Sequence, residues 1–342
     1  MRIFEGFQHG VDFGGWLSQC DYSKERFDTF IVEDDFKKVS EWGLDHVRVP
    51  IDYNLIQDEE GNYKEDGFVY IDNAISWCEK YGLNMLLDLH KTYGYSFDVG
   101  EKQDGFFDNE AYQERFYKLW EKLATKYGNI GDRVAFELLN EVTDKETSDK
   151  WNEISKKCIE RIRVIAPTVK ILIGGYFNNS IEALPDLLPP YDENIVYNFH
   201  CYEPLAFTHQ GAYWVATMKA DFRISIKEPM SVYKDVTQSI LQEKLGTYDG
   251  FDMTKNPGTD YFEFYLSKAV KLAEERNVAL YCGEYGVINK ADPEETLEWY
   301  KSFSEVFNKY NVGRAAWNYK EMDFGIIDEH LKDVQDEIIK CL

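Results

Sequence analysis

No stretch of the 342-residue sequence approaches the roughly 18 consecutive apolar residues that a membrane-spanning helix needs. Its six cysteines, Cys20, Cys78, Cys158, Cys201, Cys282 and Cys341, include no CxxC pair and no finger-like Cys/His spacing. They read as buried or free thiols in a reducing setting, not as a disulfide framework. There is no GxGxxG and no GxxxxGK[ST], so the common nucleotide-binding loops are excluded. HxH and HExxH are missing too, which argues against a metal-dependent hydrolase, and neither metal nor cofactor is expected. Positive charge is scarce: 38 Lys and Arg stand against 62 Asp and Glu, for a net charge of −24. A nucleic-acid partner, held through basic groups, is therefore not expected, and an anionic membrane surface would repel the chain. No basic, apolar leader opens the sequence. If residue 1 is the native start, a cytoplasmic protein is expected; if a leader was removed, a secreted one. Repeats, low-complexity tracts and Ser/Gly/Pro linkers are also missing, so residues 1–342 are expected to form one domain; a monomer is expected.

What is present is apolar and aromatic. Hydrophobic residues make up 44%, enough for a large core, with 24 Tyr, 22 Phe and 8 Trp. Some of that aromatic excess would suit stacking against a flat, partly apolar ligand such as a sugar ring. Short β-branched runs lie near Val11–Gly15, Asp45–Pro50, Leu83–His90, Val134–Asn140, Lys170–Gly174, Ile195–His200, Ala279–Glu284 and Gly313–Asn318. Amphipathic helical patterns separate them at Asp34–Trp42, Val69–Tyr81, Glu110–Tyr127, Asp149–Ile165, Glu263–Arg276, Glu294–Tyr310 and Lys332–Cys341. Asp292-Pro293 and Thr147-Ser148-Asp149 are helix-start signals. Eight strands alternating with helices predict an α/β fold, a closed (β/α)8 TIM barrel; a doubly wound open sheet is the rival. The segment 201–260, after the sixth strand, is too long for a plain loop. It predicts a partly helical inserted subdomain on the catalytic face, with helical turns at Tyr213–Lys219 and Ser231–Leu245.

In such barrels the chemistry sits at the strand C-termini. Arg48 lies near the second, His90 near the third, Asn140 and Glu141 near the fourth. His200 and Tyr202 follow at the sixth, Glu284 at the seventh and Trp317 at the eighth. Each alone has a bland reading: a solvated Glu, a satisfied His, a mouth salt bridge, a core Trp. Together, at successive strand ends, they point to one site. Strands four and seven lie across the barrel axis, so Glu141 and Glu284 can face each other over a cleft. Such a carboxyl pair suits glycoside hydrolysis, one as acid and the other as nucleophile or base.

On these residues the sequence resembles glycoside hydrolase family 5, the cellulase family of retaining β-glycosidases in clan A. Leu139-Asn140-Glu141-Val142 resembles the family's acid/base motif and Cys282-Gly283-Glu284-Tyr285-Gly286 its nucleophile motif. The likeness runs from about Val11 to Tyr319. It implies that Glu141 is the general acid/base and Glu284 the nucleophile, and that Asn140 meets the sugar 2-hydroxyl. Arg48 and Tyr202 would orient Glu284, His90 and His200 would bind hydroxyls or position the carboxyls, and Trp317 would lie under the reacting ring. Lys91 departs from the His or Asn found there in many members. The implied partner is a β-glucan polysaccharide or oligosaccharide, β-1,4-linked or mixed β-1,3-1,4-linked; mannan, xylan, xyloglucan and exo-action are the alternatives. A carbohydrate-binding protein without catalysis would lack one of the two glutamates.

Trp16, beside Gly14-Gly15, is a further candidate for sugar binding, as are Tyr93, Tyr95, Phe207, Tyr213, Trp214 and Tyr319. Asn178-Asn179-Ser180 matches a glycosylation sequon, a triplet that arises often by chance.

Overall fold

A computed structural model describes residues 1–98, 105–241 and 248–342, with the side chains of 240 and 241 excepted. Eight parallel strands close on themselves in sequence order: β1 (His9–Asp12), β2 (His46–Asp52), β3 (Asn84–Lys91), β4 (Val134–Glu137), β5 (Lys170–Ile173), β6 (Ile195–Cys201), β7 (Ala279–Tyr285) and β8 (Gly313–Ala316). The open-sheet alternative is thereby excluded. Around the barrel run α1 (Glu33–Glu41), α2 (Glu65–Tyr81), α3 (Glu110–Tyr127), α4 (Ser148–Ile165), α5 (Thr259–Arg276), α6 (Pro293–Tyr310) and α7 (Gln335–Ile339). Among the described residues no helix is long and apolar enough to cross a membrane.

The strands are buried on both faces, so alternation sorts side chains between two interiors rather than between core and water. Val47, Val49, Leu87 and Leu89 face the helices. Leu86, Ala135, Leu172, Val196, Tyr281 and Ala315 fill the barrel's own lower interior. Phe4 and Phe7 plug that end, their rings stacked 4.2 Å apart. Climbing β3, β4 and β6 by twos, the inward positions turn polar: Leu86 gives way to Asp88 and His90, Ala135 to Glu137, Val196 to Asn198 and His200.

Several boundaries differ from expectation. β1 starts at His9 and ends at Asp12, because Gly14 and Gly15 belong to a turn bonded to Asn318. After β5, where the sequence carries no helical pattern, a turn and the 3-10 segment Ile181–Asp186 make the crossover. The final helix shortens to Gln335–Ile339, with the 3-10 turn Glu329–Leu331 before it.

In the region after β6, residues 213–219 form turns, not a helix. The expected Ser231–Leu245 helix is an α-helix over Met230–Val236 and a π turn over Thr237–Leu241; its last four residues lie outside the described ones. This segment is tied to α6, where the Glu295 carboxylate accepts from Ser225 Oγ (2.6 Å) and Ile226 N (2.9 Å).

Candidate active site

The polar inward positions converge on Arg48, whose guanidinium is fully buried. Its Nη1 donates to Glu284 Oε1 at 2.9 Å and to Asp12 Oδ1 at 3.0 Å. Nε and Nη2 donate to the two Glu137 oxygens at 2.7 and 3.0 Å, and Nη2 also to Asn140 Oδ1 at 2.9 Å. Asp88 Oδ2 lies 3.0 Å from Nη2 and 2.6 Å from His90 Nδ1. One cation thus meets four carboxyl groups from four strands. A buried charge persists only when paired in this way.

Glu284 reaches this cluster through a local irregularity. Phe199 pairs with Cys282, but His200 pairs with Glu284, so β7 bulges at Gly283. Simple alternation from Tyr281 would turn Glu284 toward the helices; the bulge turns it into the barrel. A Cβ on Gly283 would lie 2.8 Å from the Asn198 side chain and 3.0 Å from His200 Nε2, so glycine is what this close approach admits.

The two glutamates meet over His200. Its Nδ1 is 2.8 Å from Glu141 Oε1 and 3.6 Å from Glu284 Oε2. One carboxylate oxygen of each glutamate and a His200 nitrogen lie within 4.8 Å of one another. Tyr202 donates its hydroxyl to Glu284 Oε2 at 2.9 Å.

Burial alone would raise the Glu284 pKa, but the charges on His200, Arg48 and His90, with the Tyr202 hydrogen bond, hold it at about 2. Burial also pushes Asp12 and Glu137 up, and Arg48 only partly offsets this. For His90 burial favours the neutral ring, yet Asp88 carries its pKa above the ordinary value; Glu284 and Glu141 do the same for His200. Burial beside Glu284 keeps Tyr202 a phenol, hence a donor. The site therefore holds an ionised Glu284 across the acidic and neutral range.

Of the residues expected here, Arg48, His90, Asn140, Glu141, His200, Tyr202, Glu284 and Trp317 come together. The Trp317 indole lies parallel to His90, centroids 5.8 Å apart, with the outer edge of its six-membered ring against Gly14. Trp16 does not join them. It is fully buried, donates Nε1–H to Phe27 O at 2.9 Å and stacks on Trp77, because β1 ends early and the following turn drives its ring under α1 and α2. Tyr319 is likewise buried and donates to Asp35, and Phe207 is fully buried. Tyr95 supports Glu141 from behind, donating to its backbone carbonyl at 2.6 Å. Tyr93 packs edge-on against Tyr53 and Tyr112. Tyr213 and Trp214 are exposed, and Trp214 rests on His209 and Phe324 beside Tyr202. Burial drives the His209 pKa down to about 3, so that ring is neutral packing.

Sequence reasoning missed Asp12, Asp88, Glu137 and Asn178. The first three had a signal, since each sits two residues from another inward position. Asn178, which donates Nδ2 to Glu141 Oε2 at 2.8 Å, had none.

A closed β/α barrel carrying two facing carboxyls at its strand C-termini is the framework of a glycoside hydrolase. The chain belongs to glycosyl hydrolase family 5, the cellulase family, whose model matches residues 10–323. It is 47% identical over 311 residues to cellodextrinase A of Ruminococcus flavefaciens, covering 91% of this chain and 85% of that one. Endoglucanase C of Acetivibrio thermocellus is 39% identical over 342 residues, covering 98% of both chains. Among solved structures, a hyperthermophilic endo-β-1,4-glucanase in complex with substrate superposes with a TM-score of 0.78 over 99% of both chains. At 22% identity that likeness speaks for the fold alone. The protein is a cellulase-type glycoside hydrolase.

Proposed function

We propose that the protein is a retaining endo-β-glucanase that cleaves β-1,4 linkages in cellulose-type and mixed-linkage β-1,3-1,4-glucans. The observation that carries the mechanism is the approach of one Glu141 carboxylate oxygen to one of Glu284 within 4.8 Å. Retaining pairs lie about 5–5.5 Å apart, inverting pairs about 6.5–9.5 Å, with a water between. Glu284, ionised and gripped by Arg48 and Tyr202, attacks the sugar C1. Glu141 gives its proton to the glycosidic oxygen as the C1–O bond breaks. A glycosyl ester on Glu284 results. Glu141, now a carboxylate, takes a proton from water; the water oxygen bonds to C1 and Glu284 leaves as the carboxylate. Asn140, its carbonyl held by Arg48 and its Nδ2 3.4 Å from His90 Nε2, has one amide proton left for the sugar 2-hydroxyl, and Trp317 lies under the ring.

The 47% identical relative named cellodextrinase favours a second reading, action on short soluble β-1,4 oligosaccharides. Reducing-sugar release from barley β-glucan, carboxymethyl cellulose, cello-oligosaccharides, mannan and xylan separates the two. Glucan cleavage to a mixed ladder is expected; release only from oligosaccharides selects the second reading. Glu141, His200 and Glu284 also lie close enough to share a cation, so each assay is run with and without chelator. No effect of chelator is expected, and a loss would redirect the mechanism to a metal. Glu284→Gln should fold and lose at least about 10⁴-fold in kcat. Ordinary turnover in that variant would remove Glu284 from the nucleophile role.

A further inference from the structure

Three consecutive residues after β5 adopt the left-handed conformation. Phe177 has φ 51° and ψ 51°, Asn178 φ 57° and ψ 53°, and Asn179 φ 56°. None is glycine. Such backbone costs about 1 kcal/mol or more per residue and persists only where surroundings enforce it. Here the surroundings are the segment that carries Glu141. Phe177 N donates to Thr143 O (3.1 Å) and Asn178 N to Val142 O (3.0 Å). The turn is thus strapped to the two residues following Glu141, which itself has φ 30°. The Asn178 side chain then donates Nδ2 to Glu141 Oε2. Asn179 is buried below, its Nδ2 3.4 Å from His200 Nε2, in a space that Gly174 alone leaves open: a Cβ there would lie 2.2 Å from Asn179 Oδ1.

We infer that Asn178 is a positioning residue for the acid/base. Its amide holds Glu141 Oε2 while His200 takes Oε1, so the carboxyl is gripped at both oxygens and its plane is fixed toward the scissile oxygen. Glu141 follows the end of β4, its own backbone is left-handed, and it is the less enclosed of the two glutamates. Without a second anchor it would swing about the His200 contact. This rests on Glu141 being the acid/base proposed above. Asn178 itself is exposed, so its replacement leaves the core intact.

Positioning of an acid is read by leaving-group dependence, because a good leaving group departs without protonation. The experiment measures kcat/KM, which reports the first bond cleavage, for dinitrophenyl and phenyl β-cellobiosides. Asn178→Gly keeps the left-handed backbone and removes the donor. Asn178→Asp keeps the shape and replaces the donor with a carboxylate. Both are expected to lose about ten-fold or more on the phenyl substrate and several-fold less on the dinitrophenyl one. A thermal melt near that of the parent protein accompanies each. Glu141→Gln, assayed in parallel, should show the same dependence more steeply. A flat response in Asn178→Gly beside a steep one in Glu141→Gln overturns the role of Asn178 alone. A flat response in Glu141→Gln overturns the acid/base reading itself. Unfolding of both Asn178 variants would make Asn178 a fold residue and overturn its positioning role.

Discussion

A hydroxyl and a guanidinium share the work of keeping Glu284 ionised, and they can be separated. Tyr202 donates to Oε2 and Arg48 to Oε1. A hydrogen bond to a charged group is worth about 1.5–3 kcal/mol, and 1.36 kcal/mol is one pKa unit. Tyr202→Phe should therefore raise the Glu284 pKa by about one unit and carry the acidic limb of the kcat/KM profile to higher pH by the same amount. A limb that stays in place would assign the depression wholly to Arg48 and the two histidines. The sign for stability is the same. Glu284 drops from an ordinary 4.5 to about 2 on folding, so its contribution is full above the higher value and is lost as pH falls toward the lower. Asp12 and Glu137, pushed up by burial, act in the opposite sense. At this scale the sequence was legible where a residue type and a strand end coincided, as at Arg48, His200 and Tyr202. It misled at Trp16, because an aromatic next to paired glycines looks alike whether the turn sends it into the cleft or under the helices. It was silent at Asn178, whose use depends on a left-handed turn that no local pattern announces.

Elements were legible wherever a start signal and an apolar period agreed. Asp292-Pro293 marks the start of α6, and in the structure the Asp292 side chain accepts from Glu294 N at 3.0 Å and Glu295 N at 3.2 Å. Loss of such a cap costs about 1 kcal/mol. Asp292→Ala should lower the urea midpoint accordingly and leave kcat untouched, since the cap lies at the far start of α6, while the helix meets the site's strands from behind further along, where Trp299 donates to Glu203 O and Phe303 stacks on Tyr285. A lowered kcat would mean that the contact of Glu295 with Ser225 and Ile226, one turn on, transmits the disturbance to the cleft. The bulge at Gly283 was not legible. Period-two alternation predicts one side for Glu284 and the register shift delivers the other. Only the strand partner, where His200 skips Gly283 to pair with Glu284, reveals it. The crossover after β5 had no helical pattern in the sequence, and in the structure a turn and one 3-10 segment make it, burying Ile181, Ala183 and Leu184.

At the scale of the whole molecule, the barrel was legible because eight apolar runs with long connections admit few parallel topologies. The surface poses a different problem. Sixty-two acids face 38 bases, so the acids cannot be matched by bases one to one. The pairs that form, such as Lys80 with Glu33 and Lys126 with Asp72, are largely exposed and worth about 0–1 kcal/mol each. Mutual repulsion among unpaired carboxylates acts over longer distances than these contacts and is screened within about 10 Å at 0.1 M salt. Net repulsion should therefore dominate at neutral pH, and salt should stabilise the fold. Raising sodium chloride from about 0.02 to about 0.3 M is expected to raise Tm by about 2–4 °C. The buried Arg48 cluster, shielded from ions, should contribute nothing to that change. A Tm that falls with salt would show that the exposed ion pairs outweigh the repulsion and that the excess negative charge is locally compensated.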